Sequence, residues 1–374
     1  MKRVVIIGAG VIGLAIARRL IDHNPSFHVT VLERHSEIAR EASQYNSGVI
    51  HSGIHLDPNS LKAHFARKGS LAMRLYCMSR GIMMRHTGMI VGVGFRNLKT
   101  LWGEWRASFS VLRELKNRAF AQGISIKTLT CFGVKRLEPH ARVLGGIYIP
   151  SVWIIDKKAY AKSLFWGGKK RGVEFRFEEE VFGIKNNGHQ FIVRTKSNEY
   201  EADILINCAG VYADVISNLA RFPGYKIIPW RGEYYEVVGV KSSLIRNCLI
   251  YPAVRPGSMG LGIHITKSID ERLFLGPNAN IHKEREYVFE DKTSPREFLE
   301  EARCFLPQLE EKDLRWAYAG LRAKCISEGK EADFVIKIES TDPIFINLIG
   351  IESPGLSASL PIADHISEVI RMSI

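Results

Sequence analysis

Arg3-Val4-Val5-Ile6-Ile7-Gly8-Ala9-Gly10-Val11-Ile12-Gly13 opens the chain, one residue pair after its first methionine. The run from Arg3 to Ile7 is apolar and β-branched, the pattern of a parallel strand buried on both faces. It breaks into Gly-x-Gly-x-x-Gly, and an apolar helix is expected from there to about Leu20. A second strand, His28 to Leu32, follows, and Glu33 closes it 20 residues after Gly13. Three glycines alone are weak evidence. Set between a strand and a helix, with an acidic residue at that distance, they read as a dinucleotide site. Gly8 permits the tight turn, Gly10 lets a pyrophosphate approach the backbone, and Gly13 lets helix pack on strand. The helix N-terminus, with Val11 and Ile12 in its first turn, offers N–H groups and a positive dipole end to phosphate. Glu33, with Arg34 beside it, is placed to meet the adenosine ribose.

Outward from this unit the pattern changes. Ser60 to Arg80 reads as a helix with Leu61, Phe65, Leu71 and Leu75 on a shared face. Leu101 to Gln122 reads as a second amphipathic helix stopped by Gly123. Between Gly145 and Tyr200 short strands and turns such as Asn186-Asn187-Gly188 are expected. Ala202 to Asn207 returns to an apolar strand, and Pro229 to Gly276 is rich in short β runs with Gly and Pro punctuation. Ser294 to Phe305 is expected as a helix, Ile344 to Leu348 as a strand, and Ser359 to Met372 as a last helix. The fold class is therefore α/β: a Rossmann-like nucleotide domain made of separated segments, with a β-rich α+β substrate domain inserted. The segments 1–85, 151–225 and 326–374 are assigned to the first, and 86–150 and 226–325 to the second.

With 374 residues, 46% of them hydrophobic and 24% charged, the chain has the composition of an ordinary globular protein of two domains. A net charge of +13 could serve nucleic acid, an anionic membrane or anionic substrates. The basic residues are scattered and no nucleic-acid motif accompanies them, so nucleic acid is not expected as a partner. Glycines interrupt the apolar start that would otherwise resemble a signal peptide, and no later stretch has the roughly 20 apolar residues of a spanning helix. A cytoplasmic location is expected, with at most peripheral contact at the inner face of a membrane. The six cysteines lie far apart with no Cys-x-x-Cys pair, which excludes a disulfide scaffold and a thiolate zinc site. His51 and His55 are four apart, but Gly53 between them breaks any helix and no third ligand is near, so no metal is expected.

An NAD dehydrogenase usually completes its nucleotide domain in one block. Here the pattern returns only at Ala202–Gly210 and again at Phe345 to Leu356, where a strand and glycines precede the terminal helix. A second helix N-terminus there could stabilise a flavin's pyrimidine end, which makes FAD the expected cofactor. The same residues carry a resemblance. The fingerprint, Ala42-Ser43-Gln44-Tyr45-Asn46-Ser47-Gly48-Val49-Ile50-His51-Ser52-Gly53, Arg231 to Tyr235, Leu261-Gly262-Ile263-His264 and Gly350 to Leu360 resemble the D-amino-acid-oxidase-type flavoproteins. Within that superfamily they are most similar to the L-2-hydroxyglutarate dehydrogenases and oxidases. The resemblance covers most of the chain. It implies a flavin ring at the interface of the two domains and hydride transfer from C2–H of a 2-hydroxy acid to flavin N5. Flavin-linked glycerol-3-phosphate dehydrogenases share the outline, including a histidine after a glycine segment and an arginine in a Gly-x-Arg turn, which fall on His264 and Arg322. The chain departs from the hydroxyglutarate pattern at His55-Leu56 and at Val254 to Gly260.

Oxidising a secondary alcohol needs an acceptor for the hydroxyl proton, and a neutral histidine suits this near pH 7. His264 is the first candidate and His51, beside the expected flavin, the second. A carboxylate or phosphate needs a cationic anchor, best a planar guanidinium. Arg322 leads, with Arg231, Arg255 and Lys324 behind it. Of Tyr234 and Tyr235 only one can face the substrate, since neighbours on a strand point opposite ways. Cofactor contacts are expected from Gly8, Gly10, Val11, Ile12, Gly13, Glu33, Arg34, Ser43, Gln44, Asn46, Ser47, Gly48, Val49, Ala209, Gly210, Gly350, Ser353, Pro354, Gly355 and Leu356. The expected reaction is FAD-dependent oxidation of a small L-2-hydroxy acid, foremost L-2-hydroxyglutarate to 2-oxoglutarate. The alternatives are glycerol-3-phosphate oxidation and a redox-inactive flavin-binding subunit of a larger assembly. The expected partners are a small anionic substrate and an electron acceptor: a quinone, oxygen or a soluble carrier.

Overall fold

In the first strand, Arg3–Ile7, alternate side chains separate two hydrophobic cores. Val4 and Ile6 pack with the helices, whereas Val5 and Ile7 pack under a small antiparallel meander. A computed structural model describes residues 2–95, 101–254, 262–287, 289–327 and 330–374. The strand lies near the middle of a six-stranded sheet in the order Val335–Thr341, Ile344–Ile349, Ile204–Asn207, Arg3–Ile7, His28–Leu32, Glu174–Arg176. All neighbours are parallel except the antiparallel edge strand Val335–Thr341. The register puts Ile7 beside Leu32 on one side and Asn207 on the other, with Asn347 next to Asn207. The five parallel strands thus present their C-terminal ends at one edge, where a ligand binds in open α/β sheets. The mixed α/β architecture expected from the sequence is the one observed.

One face of this sheet carries the helices Val11–His23, Leu61–Ser79, Lys157–Lys169 and Gly355–Ser373. The other carries Val181–Asn186, Phe191–Thr195 and Glu199–Ala202. Four readings of the sequence need correction. The helix Leu61–Ser79 buries Ala63, Phe65, Ala66, Gly69 and Met73, while Leu71 and Leu75 are 54% and 56% exposed. The reason is close packing: a Cβ on Gly69 would lie 1.8 Å from the Ser357 carbonyl of the terminal helix, so small residues must face inward. The helix Lys157–Lys169 was not expected; Asp156 caps it by accepting from the N–H groups of Lys158 and Ala159. The apolar run Ala202–Asn207 divides at Asp203, whose carboxylate accepts the Arg3 N–H, so it feeds two different sheets. The terminal helix begins at Gly355, not Ser359, and tolerates Pro361 inside it.

A ten-stranded mixed sheet forms the second layer. Its long hairpin pairs Ile227–Val237 with Leu314–Ser327 and sets Gly232 against Gly320 and Trp230 against Arg322. Alternation again sorts the side chains. Tyr235, Ile250 and Ile265 join a core with the helix Pro295–Ala302, whereas Tyr251 joins a core with the helix Leu101–Ala121. No helix among the described residues is long and apolar enough to cross a membrane.

Candidate active site

A continuous cavity of about 1050 Å³ runs from the first glycine turn to the ten-stranded sheet. That is the upper end of the size range for small-molecule sites, enough for a dinucleotide with a second small molecule. At one end lie Gly8, Gly10, Val11 and Ile12, with Glu33 and Arg34 at the tip of the second strand. Gly8 has φ +106, and a Cβ on Gly13 would lie 2.0 Å from the Gly8 carbonyl. No side chain of its own caps the helix Val11–His23; the Ser43 hydroxyl accepts the Val11 N–H at 3.0 Å instead. The Glu33 carboxylate accepts from the N–H groups of Ala9 (2.8 Å) and His35 (3.0 Å). Burial pushes its pKa above the usual carboxylate value, against the lowering effect of those two N–H groups. Arg34 pairs with Glu41 and lies 4.1 Å over the Tyr212 ring.

The middle of the cavity is walled by Ser43, Asn46, Ser47, Val49, Ala209 and Gly210, and by Ser353, Pro354, Gly355 and Leu356. Asn46 shapes its own loop: its amide donates to the Ala42 and Ser43 carbonyls, and its side-chain oxygen accepts the Gly48 N–H. The helix Gly355–Ser373 starts without a side-chain cap, and its N-terminus opens on the same cavity as that of Val11–His23, where the Ser43 hydroxyl already accepts one N–H. Gly13, Gln44, Gly48 and Gly350 do not line it. Gly13 and Gly350 act through the backbone: Gly350 has φ +71, and a Cβ there would meet the Cys325 side chain at 2.8 Å.

At the far end the cavity gathers Tyr234, Tyr251, His264, Arg322, His51 and His55. Arg322 is half-buried, and among the described residues no hydrogen bond or ion pair engages its guanidinium. Gly232, opposite Gly320, leaves it room: a Cβ at Gly232 would stand 3.4 Å from the Arg322 terminal nitrogen. Gly320 in turn admits the Tyr45 carbonyl, which a Cβ would meet at 2.2 Å. Of the tyrosine pair, Tyr234 faces the cavity and Tyr235 turns away, donating to the Thr293 carbonyl at 2.6 Å. Burial pushes the Tyr234 phenol up to about 12, opposed by Arg322 and by the Ser47 side chain. Arg231 does not reach the cavity and pairs with Asp291 and Glu233. Lys324 reaches it but is held by Glu331. Arg255 lies outside the described residues.

Sequence reasoning missed Tyr251. It is 1% exposed, and its ring stacks on His264 with centroids 3.6 Å apart and planes 14° apart. His55 stacks on Tyr251 at 6.1 Å, and His51 meets it edge-on at 6.5 Å. Only the antiparallel pairing of Ile250 with Ile265 brings Tyr251 to His264. Burial drives the Tyr251 phenol above its usual range, so it stays a neutral donor.

Residues 3–369 match the DAO family of FAD dependent oxidoreductases. The chain belongs to that family. This DAO-family chain is 31% identical to the L-2-hydroxyglutarate dehydrogenase of Escherichia coli (strain K12), over 98% of its own length and 92% of that protein. It is 26% identical to the glycerol 3-phosphate dehydrogenase of Caloramator mitchellensis, over 99% and 74% of the two chains. Its structure superimposes with a TM-score of 0.86 on dithionite-reduced L-alpha-glycerophosphate oxidase from Mycoplasma pneumoniae with FAD bound, at 26% identity, covering 99% and 95%. The DAO-family oxidoreductase is therefore FAD-dependent, and its residues fit that cofactor. Gly8 and Gly10 would let a pyrophosphate approach the backbone, Glu33 would meet the ribose, and the uncapped N-terminus of the helix Gly355–Ser373 would face the flavin's pyrimidine end.

Burial holds the His51 imidazole down to about 4 and, together with His51 and Arg118, holds His55 down to about 3. Both are neutral at pH 7 in the fold, whereas in the unfolded chain they titrate near 6.5. Below pH 6.5 the unfolded chain therefore binds more protons than the native one. Their contribution is fully present above pH 6.5 and is lost as pH falls toward about 4. Urea unfolding is expected to show a lower midpoint at pH 5 than at pH 7.5, and the double variant His51→Asn/His55→Asn should shrink the difference. An equal or higher midpoint at pH 5 would refute the assignment.

Proposed function

We propose that the protein oxidises a small L-2-hydroxy acid, foremost L-2-hydroxyglutarate, to the corresponding 2-oxo acid. The observation that carries this reading is the Arg322 guanidinium, without a hydrogen-bond or ion-pair partner among the described residues, in the same cavity as His264, Tyr234 and the glycine turn. A guanidinium with open donors calls for a planar oxyanion, and it can grip a carboxylate by two parallel bonds. Tyr234, a neutral phenol, adds a donor to the same group. These two fix the carboxylate and so orient C2 toward the middle of the cavity. His264 takes the hydroxyl proton on an imidazole nitrogen as C2–H is lost, and the Tyr251 face fixes the plane of its ring. FAD, when bound, supplies the two-electron acceptor for that hydrogen, as hydride at N5. The electrons then pass to an acceptor such as a quinone, oxygen or a soluble carrier. The segments of the six-stranded sheet would hold the flavin, and the ten-stranded sheet would hold the substrate.

The relatives named for glycerol 3-phosphate favour a second reading, since a phosphate would also satisfy Arg322. Anaerobic mixing of the flavin-loaded protein with L-2-hydroxyglutarate, its D-isomer and glycerol 3-phosphate separates them. Bleaching of the flavin band by the L-hydroxy acid alone is the expected result. Bleaching by glycerol 3-phosphate alone moves the protein to the second reading, and bleaching by none removes both.

A further inference from the structure

Six lysine and arginine side chains among the described residues line the cavity: Arg34, Arg40, Lys62, Arg118, Arg322 and Lys324. Four are already matched to carboxylates within or beside it. Arg34 pairs with Glu41, and Arg40 with Glu37 at 2.6 Å. Lys62 bridges Glu331 at 3.0 Å and Glu352 at 3.1 Å, and Lys324 also binds Glu331. Arg322 has no such partner. Arg118 is the remaining one, and its matching is weak. One terminal nitrogen donates to the His55 carbonyl at 3.2 Å; the other meets Glu114, one turn earlier and 48% exposed, at 2.9 Å. A half-exposed i,i+4 pair contributes little and does not commit the guanidinium.

Arg118 and Arg322 are joined through ring contacts. Arg322 acts electrostatically on the Tyr251 phenol, the Tyr251 ring stacks with both His264 and His55, and Arg118 donates to the His55 carbonyl at 3.2 Å. The His55 Nε2 atom is buried with no hydrogen-bond partner among protein atoms. The cavity therefore carries a cation against each of two rings in contact, Arg118 at His55 and Arg322 at Tyr251. A monoanion would leave the Arg118 end unanswered. A dicarboxylate answers both.

We propose that Arg118 holds the second carboxylate of the substrate and so sets the preference for a dicarboxylic over a monocarboxylic 2-hydroxy acid. The proposal rests on the reading of the reaction given above, and the test keeps the two apart. The flavin-loaded wild type, Arg118→Met, Arg322→Met and Arg255→Met are compared by kcat/KM on L-2-hydroxyglutarate and on L-2-hydroxypentanoate. The second compound has the same five-carbon chain without the second carboxylate. Arg118→Met is expected to lower kcat/KM for the dicarboxylate by about a hundredfold, the size of one lost charge-assisted contact, mostly in KM. The monocarboxylate should change by less than about threefold, since it never made that contact. Arg322→Met should lower both. Unchanged turnover of the monocarboxylate also shows that the His55 loop has kept its shape.

An equal fall for both substrates in Arg118→Met would assign Arg118 a structural role and overturn the proposal. So would loss of the preference in Arg255→Met with none in Arg118→Met. A wild type that oxidises neither hydroxy acid would instead defeat the reading of the reaction, and this proposal with it.

Discussion

Replacing Arg322 with methionine is expected to lower kcat/KM for the hydroxy acid by roughly 10²–10³-fold while the protein keeps its flavin. Within the described residues the Arg322 guanidinium is half-buried and makes no hydrogen bond or ion pair, although the cavity around it is walled by Tyr234, Tyr251 and His264. A partly desolvated cation without a partner is costly to the fold, and an incoming carboxylate offsets that cost when it binds. Removing one member of such a pair costs about 2–5 kcal/mol, and each 1.4 kcal/mol is tenfold in affinity or rate. Methionine has similar length and no charge, so packing against the ring walls is largely kept. Because among the described residues no hydrogen bond or ion pair joins Arg322 to the glycine turn, the flavin-to-protein absorbance ratio should match the wild type. Activity within about threefold of wild type would remove Arg322 from the site.

The second large effect is expected at Gly13. An alanine there would place its Cβ 2.0 Å from the Gly8 carbonyl, an atom of the strand-to-helix turn itself. Backbone on both sides cannot yield as a flexible side chain would, so the helix Val11–His23 must move off the strand Arg3–Ile7. Overpacking of this kind costs about 1–3 kcal/mol or more. Gly13→Ala should therefore melt several degrees lower and lose most of its flavin, because the displaced element carries the phosphate-facing N-terminus. Gly10→Ala provides the contrast. Its Cβ would meet only the Ser43 hydroxyl, at 3.2 Å, so the fold should survive while the approach of the pyrophosphate is blocked. Differential scanning and the flavin absorbance ratio of both variants decide this. A Gly13→Ala protein with unchanged melting and full flavin would refute the packing argument.

The dinucleotide end was legible because all its parts are local. Arg3–Ile7, His28–Leu32 and the glycines between them fall within 33 residues, and each signal is a consequence of backbone geometry. Most long helices were legible in place but not always in orientation. Periodicity put Leu71 and Leu75 on the core side, whereas the helix turns Gly69 and Met73 inward to let the terminal helix come close. Size, not hydrophobicity, chose that face. The helix Lys157–Lys169 was hidden by neighbouring strand-like residues, although Asp156 is a standard N-cap.

By itself, then, the sequence determined the fold class, and it pointed to a phosphate cradle and, through likeness to other flavoproteins, to His264 and Arg322 of the candidate site. Tertiary structure alone decided which groups are free to act. Arg231, Lys324 and Arg322 are all cations in the sequence, yet carboxylates 2 to 60 residues away claim the first two and, among the described residues, none claims the third. The same holds for Tyr251 and Arg118, which reach the cavity through sheet pairing and helix packing. A charge is available for chemistry only where no nearer opposite charge neutralises it, and that is a property of distances in space, which spacing along the chain does not contain.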